Sequence, residues 1–104
     1  MKSIMIVDDE KNILNEVKNI LEEENFNVVT AENSRKAFEL IDTCKEDDFG
    51  LILIDSLIPD TNIPALFSMK PSNKKNIDTT KKEDFLQKPF TKEQLRDFVK
   101  NKLF

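Results

Sequence analysis

The chain has 104 residues and a net charge of −4, so it is one domain with a modest core. It contains no histidine and only one glycine, Gly50, which excludes histidine-based catalysis, histidine-containing metal sites, P-loops and dinucleotide fingerprints. Its one cysteine, Cys44, excludes an internal disulfide, and no apolar run is long enough to cross a membrane. We therefore expect a cytoplasmic protein.

The first half of the chain alternates predicted strands and helices. Residues 3–7, 26–30 and 51–54 are apolar runs of strand length. The two segments between them carry apolar residues at helical spacing, with charged residues opposite. A β-α-β-α-β order predicts a parallel sheet with helices on both faces. The stripe of the first helix is Ile13, Leu14, Val17, Ile20 and Leu21, and that of the second, capped by Asn33 or Ser34, is Ala37, Phe38, Ile41 and Cys44.

The second half lacks the sequence for one covering helix. A fourth strand is predicted at residues 63–68. Only eight residues, 56–63, connect Asp55 to this strand. A parallel crossover normally needs a dozen or more residues and a helix. An extended segment of that length reaches about 26 Å, at roughly 3.3 Å per residue, which is enough to return without a helix. We therefore expect the third helix to be missing.

The end of the chain predicts one more strand and one more helix. The polar residues 70–83 indicate a loop with a reduced fourth helix at most, and residues 84–87 form a short last strand. Thr91 and Gln94 have the spacing of a capping box before a helix with an apolar face. No linker or repeat divides residues 1–104, so we expect a single domain without an effector domain.

Charged side chains follow three of the predicted strands at the point where each strand ends. Asp8 and Asp9 follow the first, Asp55 the third and Lys88 the last. In a parallel sheet these ends share one edge, where α/β proteins bind their ligands. Gathered carboxylates suit Mg²⁺, and a carboxylate can also accept a phosphoryl group as a nucleophile. Lys88 would supply a cation for phosphate oxygens and Ser68, after the fourth strand, a hydroxyl.

The segments Ile6–Glu10, Leu53–Asp55 and Lys88–Phe90, in that order, resemble the receiver domain of two-component response regulators. The resemblance covers nearly the whole chain and implies a flavodoxin-like, doubly wound, five-stranded parallel sheet of order 2-1-3-4-5. It implies a signalling switch or relay, phosphorylated by a histidine kinase and dependent on Mg²⁺, and not an enzyme that turns over a metabolite.

The resemblance also assigns the acidic residues. Asp55 would accept phosphate from the phosphohistidine of a sensor kinase or phosphotransfer protein. Asp9 would bind Mg²⁺ directly, with Asp8 beside it and partly through water. The backbone carbonyl of Leu57 would complete the protein ligands, together with Asp55.

The remaining assignments concern the phosphoryl group and the switch. Lys88 would contact the phosphoryl group, and its bond to Pro89 is cis in the family. Ser68, with Met69 competing for the position, would take the place of the switch hydroxyl. Phe85, three residues before Lys88, would take the place of the switch aromatic.

Each of these residues also has a purely structural interpretation. Asp8 and Asp9 could be N-terminal acids of the first helix, and Asp55 a solvated strand end. Lys88 and Pro89 could form a simple turn, Phe85 could be a core residue and Ser68 an ordinary hydroxyl.

Two other functions also remain open. A degenerate receiver would act as a phosphorylation-independent interaction module. A haloacid-dehalogenase-like phosphatase shares the nucleophilic Asp and Mg²⁺, but Asp55-Ser56-Leu57 lacks its second acid.

The resemblance implies a downstream effector protein as partner, with no direct contact to DNA or membrane. Without a third helix, the flank of Ile52, Ile54 and Leu66 would lie bare and invite a partner or a homodimer.

Overall fold

The structure, a computed structural model, describes residues 3–43, 49–69 and 84–103. The predictions for Cys44, the reduced fourth helix and the loop at 70–83 lie outside these residues. In the described part, three helices and five strands follow one another. They are β1 (Ser3–Val7), α1 (Lys11–Glu23), β2 (Asn27–Ala31), α2 (Ser34–Thr43), β3 (Phe49–Leu57), β4 (Pro64–Met69), β5 (Phe85–Gln87) and α3 (Lys92–Leu103).

The five strands form one sheet of order β2-β1-β3-β4-β5, which confirms the predicted flavodoxin-like order. β1 pairs in parallel with both β2 and β3, as two helical crossovers require. β4 runs antiparallel to β3 and to β5, so the sheet is mixed, and the prediction that every strand is parallel is wrong for β4.

A tight hairpin explains the reversal of β4. The N–H of Ile58 donates to the carbonyl of Ile63 at 3.0 Å, and the N–H of Thr61 donates to the carbonyl of Ile58 at 3.1 Å. Pro59 stands at the first central position of this turn, and Asp60 at the second with φ of 64°, as in a type II turn. A short connection of this kind can join antiparallel strands and cannot join parallel ones. The missing third helix and the reversed strand therefore have one cause.

A second reversal restores the direction of the chain. β5 pairs antiparallel with β4, with Ala65 opposite Gln87 and Phe67 opposite Phe85. β5 therefore runs in the same direction as β1 and β3. Lys88, which follows β5, lies at the edge where the other two strands end.

Helices cover both faces of the sheet. α1 and α3 pack on one face and α2 on the other, which confirms the doubly wound arrangement. Each buried aliphatic side chain contributes about 1.5–3 kcal/mol relative to exposure, so these two layers hold the sheet together. The first layer buries Ile4, Ile6, Leu14, Val17, Leu21, Leu51, Leu53, Leu66, Leu95 and Val99, and the second buries Met5, Val7, Ala31, Ala37, Phe49 and Ile52.

Two packing predictions need correction. Phe38, expected on the apolar stripe of α2, is 66% exposed, because this helix packs on the sheet through Ala37, Leu40 and Ile41. Ile52 and Leu66, expected on a bare flank, are 3% and 0% exposed. Leu66 lies under α1 and α3, on the face opposite to Ile52, so these two residues offer no surface for a homodimer.

The helix caps agree with the sequence. Asn33 caps α2 by accepting a hydrogen bond from the N–H of Lys36 at 2.9 Å. Thr91 and Gln94 form the predicted capping box, with hydrogen bonds of 3.1 and 2.8 Å. At the end of α1, Asn25 adopts a positive φ of 67°, which lets the chain turn sharply into β2.

Candidate functional site

Lys88 joins the ends of three strands. Its Nζ donates to Asp8 Oδ2 and to Asp55 Oδ1, each at 2.8 Å. Asp8 follows β1 and Asp55 lies near the end of β3, so one ammonium ties β1, β3 and β5 at the carboxyl edge of the sheet. The peptide bond from Lys88 to Pro89 is cis, as the resemblance implies. The structure therefore brings three of the predicted site residues into direct contact.

Asp8 is the buried anchor of this group. Its side chain is 0% exposed, whereas that of Asp55 is 39% exposed. Asp8 Oδ1 accepts the N–H of Glu10 at 3.0 Å, and the backbone N–H of Asp8 donates to the carbonyl of Ala31 at 3.1 Å. The N-cap of α1 is Glu10, so Asp8 and Asp9 are not helix caps. A buried carboxylate with both oxygens bonded is a fixed feature of the site.

The environment of Lys88 favours its charged form. Burial alone would lower the pKa of Lys88, but the hydrogen bonds to Asp55 and Asp8 outweigh burial and raise the pKa above its usual value. Lys88 is therefore a permanent cation at neutral pH. Its three hydrogens allow it to bond the two carboxylates and still reach a further acceptor.

Three carboxylates could hold a divalent cation. Oxygen atoms of Asp8, Asp9 and Asp55 lie within 4.8 Å of one another. Asp9 and Asp55 are exposed, so an ion can approach from solvent. Carboxylate oxygens in this number are the ligands that Mg²⁺ prefers, and a single ammonium leaves the cluster with net negative charge. The donor set fits Mg²⁺.

The direction of the Leu57 carbonyl follows from the hairpin ladder. Ile58 and Ile63 form a hydrogen-bonded pair, so the adjacent pair, Leu57 with Pro64, is of the non-hydrogen-bonded kind. Pro64 has no N–H to donate, which fits this position. The carbonyl of Leu57 therefore points away from β4, toward the side of β1, where Asp8 and Asp9 follow.

An open cleft of about 670 Å³ lies over the carboxylates. α1 forms one side, the base of the hairpin forms another, and the segment after β5 closes the third. The cleft combines an acidic floor, where the Lys88 ammonium bonds Asp55, with an apolar rim. Its lining consists of Asp9, Glu10, Ile13, Glu16, Asp55, Ser56, Leu57, Pro64, Lys88, Pro89 and Phe90.

Ser68 lies away from the cleft, and the prediction that it follows β4 at this edge is wrong. Because β4 runs antiparallel, Ser68 pairs with Leu53, roughly 7 Å back along the sheet from Asp55. Its hydroxyl is buried and donates to the carbonyl of Asp84 at 3.1 Å. Met69, the competing position, pairs with Ile52 and lies further away still. The residue of β4 opposite Asp55 is the apolar Leu66.

Phe85 lies at the beginning of β5, roughly 10 Å along the strand from Lys88. Its ring packs against that of Phe67, with centroids 4.9 Å apart. Both rings are half-buried. The structural interpretation of Phe85 as a packing residue accounts for these contacts, and its switch role stays a prediction.

Comparison with known proteins gives the family. The profile described as the response regulator receiver domain matches residues 4–78. The chain belongs to this family. Receiver domains are signalling modules. No solved structure matches the chain.

Individual relatives are transcriptional regulators. The chain is 36% identical over 62 residues to the transcriptional regulatory protein CpxR of Escherichia coli strain K12, and 34% identical over 62 residues to CpxR of Klebsiella pneumoniae. These matches cover 60% of this chain and 25% of each relative, so the chain spans about a quarter of the length of the curated relatives it matches. None of the described helices is both long and apolar enough to span a membrane.

The sequence prediction missed the hairpin residues that border the cleft. The sequence prediction places Ile58–Thr61 in an extended return segment and Pro64 in the fourth strand. A proline at the first central turn position, followed by a residue that tolerates positive φ, is a recognisable turn signal. Combined with the short connection, this signal would have identified the hairpin.

Proposed function

We propose that the chain is a phosphoryl acceptor in which Asp55 takes the phosphoryl group and Lys88 and the acidic cluster assist. One observation carries this proposal: Lys88 bonds Asp8 and Asp55 at 2.8 Å each, where three strands end beside the exposed Asp9. Of the two carboxylates that bond Lys88, Asp8 is buried and Asp55 is 39% exposed, so Asp55 is the one that a phosphodonor can reach.

In the proposed reaction, a carboxylate oxygen of Asp55 attacks the phosphorus atom of a phosphohistidine on a kinase or phosphotransfer protein. The O–P bond forms as the P–N bond breaks, and the imidazole nitrogen departs with the electron pair and takes a proton from solvent. Lys88 Nζ already lies 2.8 Å from Asp55 Oδ1, so it would stabilise the negative charge on the transferred phosphoryl oxygens.

Asp8, Asp9, Asp55 and the carbonyl of Leu57 would hold Mg²⁺. The ion would supply charge neutralisation, which lets a dianionic phosphodonor approach three carboxylates. Asp8 is fixed by Lys88 and by the N–H of Glu10, so it would orient the ion without moving itself.

The proposed partners follow from the family. A histidine kinase or phosphotransfer protein would donate the phosphoryl group, and a downstream protein in the cytoplasm would respond to it. Transcriptional regulation is a property of the CpxR relatives, which this chain matches over 25% of their length. An acidic cleft repels the phosphate backbone of DNA, so we propose that the domain itself does not contact it.

The test is Mg²⁺-dependent phosphorylation with acetyl phosphate, read by intact mass. We expect one phosphate adduct on the wild-type chain, lost in Asp55→Ala and lost when Mg²⁺ is chelated. Asp97→Ala, which removes an exposed carboxylate from α3, is the matched control and should keep the adduct. An unmodified wild-type chain, or an adduct that persists in Asp55→Ala, would contradict the proposal.

A phosphorylation-independent interaction module is the second candidate function. The reversal of β4 favours it, because this strand places Leu66 and not a hydroxyl opposite Asp55. The same experiment separates the two: a wild-type chain that stays unmodified with acetyl phosphate and Mg²⁺ would favour the second function, and an adduct that is lost in Asp55→Ala would favour the first.

A further inference from the structure

The hairpin between β3 and β4 borders the cleft at two points that matter for the proposed reaction. At one point Leu57 carries the carbonyl that would bind Mg²⁺. At the other, the carbonyl of Pro64 accepts the backbone N–H of Lys88 at 2.9 Å. Leu57 and Pro64 face each other across the hairpin base, so one element sets the backbone on both sides of Asp55.

Thr61 fastens this hairpin with its side chain. Its Oγ1 donates to the carbonyl of Ile58 at 2.7 Å and accepts the N–H of Ile63 at 3.1 Å. The hydroxyl thus bonds the residue just after Leu57 and the residue just before Pro64. The backbone N–H of Thr61 adds a third bond, to Ile58, at 3.1 Å.

The hydroxyl also compensates for an imperfect ladder. Ile58 donates to Ile63 at 3.0 Å, but the N–H of Ile63 is directed to Thr61 Oγ1. One backbone bond of this pair is therefore replaced by a side-chain bond. Asp60 beside it has a φ of 64°, which a non-glycine residue adopts only at a cost. Without the Thr61 hydroxyl, the turn would have fewer bonds to hold that conformation.

We propose that Thr61 is a positioning residue, which holds the carbonyl of Leu57 and the backbone of Lys88 in place for Mg²⁺ and the phosphoryl group. The inference rests on the proposed function of the cleft. Thr61 would act through the backbone of the exposed hairpin, because its side chain bonds neither Leu57 nor Lys88.

The test compares Thr61→Val, which keeps the shape and removes the hydroxyl, with Thr61→Ser, which keeps the hydroxyl. We measure the Mg²⁺ dissociation constant by calorimetry, the rate of phosphorylation by acetyl phosphate, and the amide NMR shifts of Leu57 and Lys88 without metal. A hydrogen bond has a net value equivalent to about three- to tenfold in an equilibrium constant. We expect Thr61→Val to weaken Mg²⁺ binding and slow phosphorylation by about that factor, and to shift both amides.

Thr61→Ser should stay within about twofold of wild type in both quantities. Asn33→Ala is the control for stability, because it removes another exposed side-chain hydrogen bond, the 2.9 Å cap of α2, away from the cleft. It should lower the melting temperature and leave Mg²⁺ binding and phosphorylation within about twofold.

Three results would overturn the inference. Thr61→Val could match wild type, Thr61→Ser could lose as much as Thr61→Val, or Asn33→Ala could weaken Mg²⁺ binding equally. A wild-type chain that neither binds Mg²⁺ nor accepts phosphate would refute the proposed function, and this inference with it. Because that result concerns the wild type alone, the two failures are distinguishable.

Discussion

The two halves of the sheet follow different rules. β2, β1 and β3 are parallel and are joined by α1 and α2, whereas β3, β4 and β5 alternate in direction. In the first half, every strand ends at the same edge of the sheet, and the residues after β1 and at the end of β3 line the cleft. In the second half, two reversals bring Lys88 to the cleft but take Ser68 away from it. The direction of a strand thus decides which of its residues can belong to the site, even when the strand order is unchanged.

The removal of the Lys88 ammonium is expected to have the largest effect on the site. In Lys88→Ala, loss of a charge that stabilises the transferred phosphoryl group should slow phosphorylation by acetyl phosphate by about 10²-fold. Mg²⁺ should bind more tightly at the same time, because the ammonium no longer repels it or bonds Asp8 and Asp55.

Lys92→Ala is the control for Lys88→Ala, since Lys92 pairs with Glu23 on the surface. It should change neither quantity by more than about twofold. Equal loss in both variants, or weaker Mg²⁺ binding in Lys88→Ala, would contradict the assigned role.

The packing of the reversed strand gives the next largest effect. Leu66→Ala should lower the free energy of unfolding by about 2–5 kcal/mol, because Leu66 is 0% exposed and packs under α1 and α3. Ile63→Ala, at a position 38% exposed in the hairpin, should cost less than about 1 kcal/mol. Urea denaturation measures both. If Leu66→Ala lowered the free energy of unfolding as little as Ile63→Ala, then α1 and α3 would not cover β4 as described.

Ser68→Ala tests whether the Ser68 hydroxyl lies outside the phosphorylation site. The substitution removes the buried hydrogen bond to the carbonyl of Asp84 and should cost about 0.5–1.5 kcal/mol of unfolding free energy. Phosphorylation should stay within about twofold of wild type, because Ser68 faces Leu53 and not Asp55. A tenfold slower reaction with unchanged stability would instead place this hydroxyl at the site.

The smallest effect concerns the contact between α1 and α3. The hydrogen bond from Arg96 lowers the pKa of Glu24, partly opposed by burial, and Lys100 lowers it further. Because the folded pKa lies below the unfolded one, this contribution is present above the unfolded pKa and is lost as pH falls through the folded value.

Glu24→Gln should therefore reduce the loss of stability on acidification, measured by urea midpoints between about pH 6 and pH 3. Glu22→Gln, an exposed carboxylate two residues earlier, is the control. An unchanged acid dependence in Glu24→Gln would show that the ion pairs of Glu24 do not contribute to the pH dependence of stability.

Much of the molecule was predictable because local patterns determine it. The apolar run before Asp8 and the capping box at Thr91 follow from spacing and turn chemistry, whereas the order of the strands came from the resemblance to the receiver family. The convergence of Asp8, Asp55 and Lys88 was also predicted, and the structure shows these three in contact. Their chemical roles stay predictions until phosphorylation is measured.

The direction of β4 was not predicted, and the reason is instructive. The short connection after Asp55 was recognised, but it was interpreted as an extended parallel return, and a hairpin was not considered. The rule that parallel strands need long crossovers already favoured the hairpin, and Pro59 followed by Asp60 gave the turn. The parallel arrangement predicted for the first three strands was extended to the fourth, and Ser68 was misplaced as a result.

The most direct measurement is therefore one of strand direction, by nuclear Overhauser effects in the isotope-labelled protein. In an antiparallel β3–β4 pair, Asp55 with Leu66 and Leu57 with Pro64 are non-hydrogen-bonded pairs, whose α carbons lie about 4.5 Å apart. The antiparallel pairing predicts strong Hα–Hα effects within both pairs. Their absence, together with effects between Asp55 and Ser68, would contradict it and return Ser68 to the cleft.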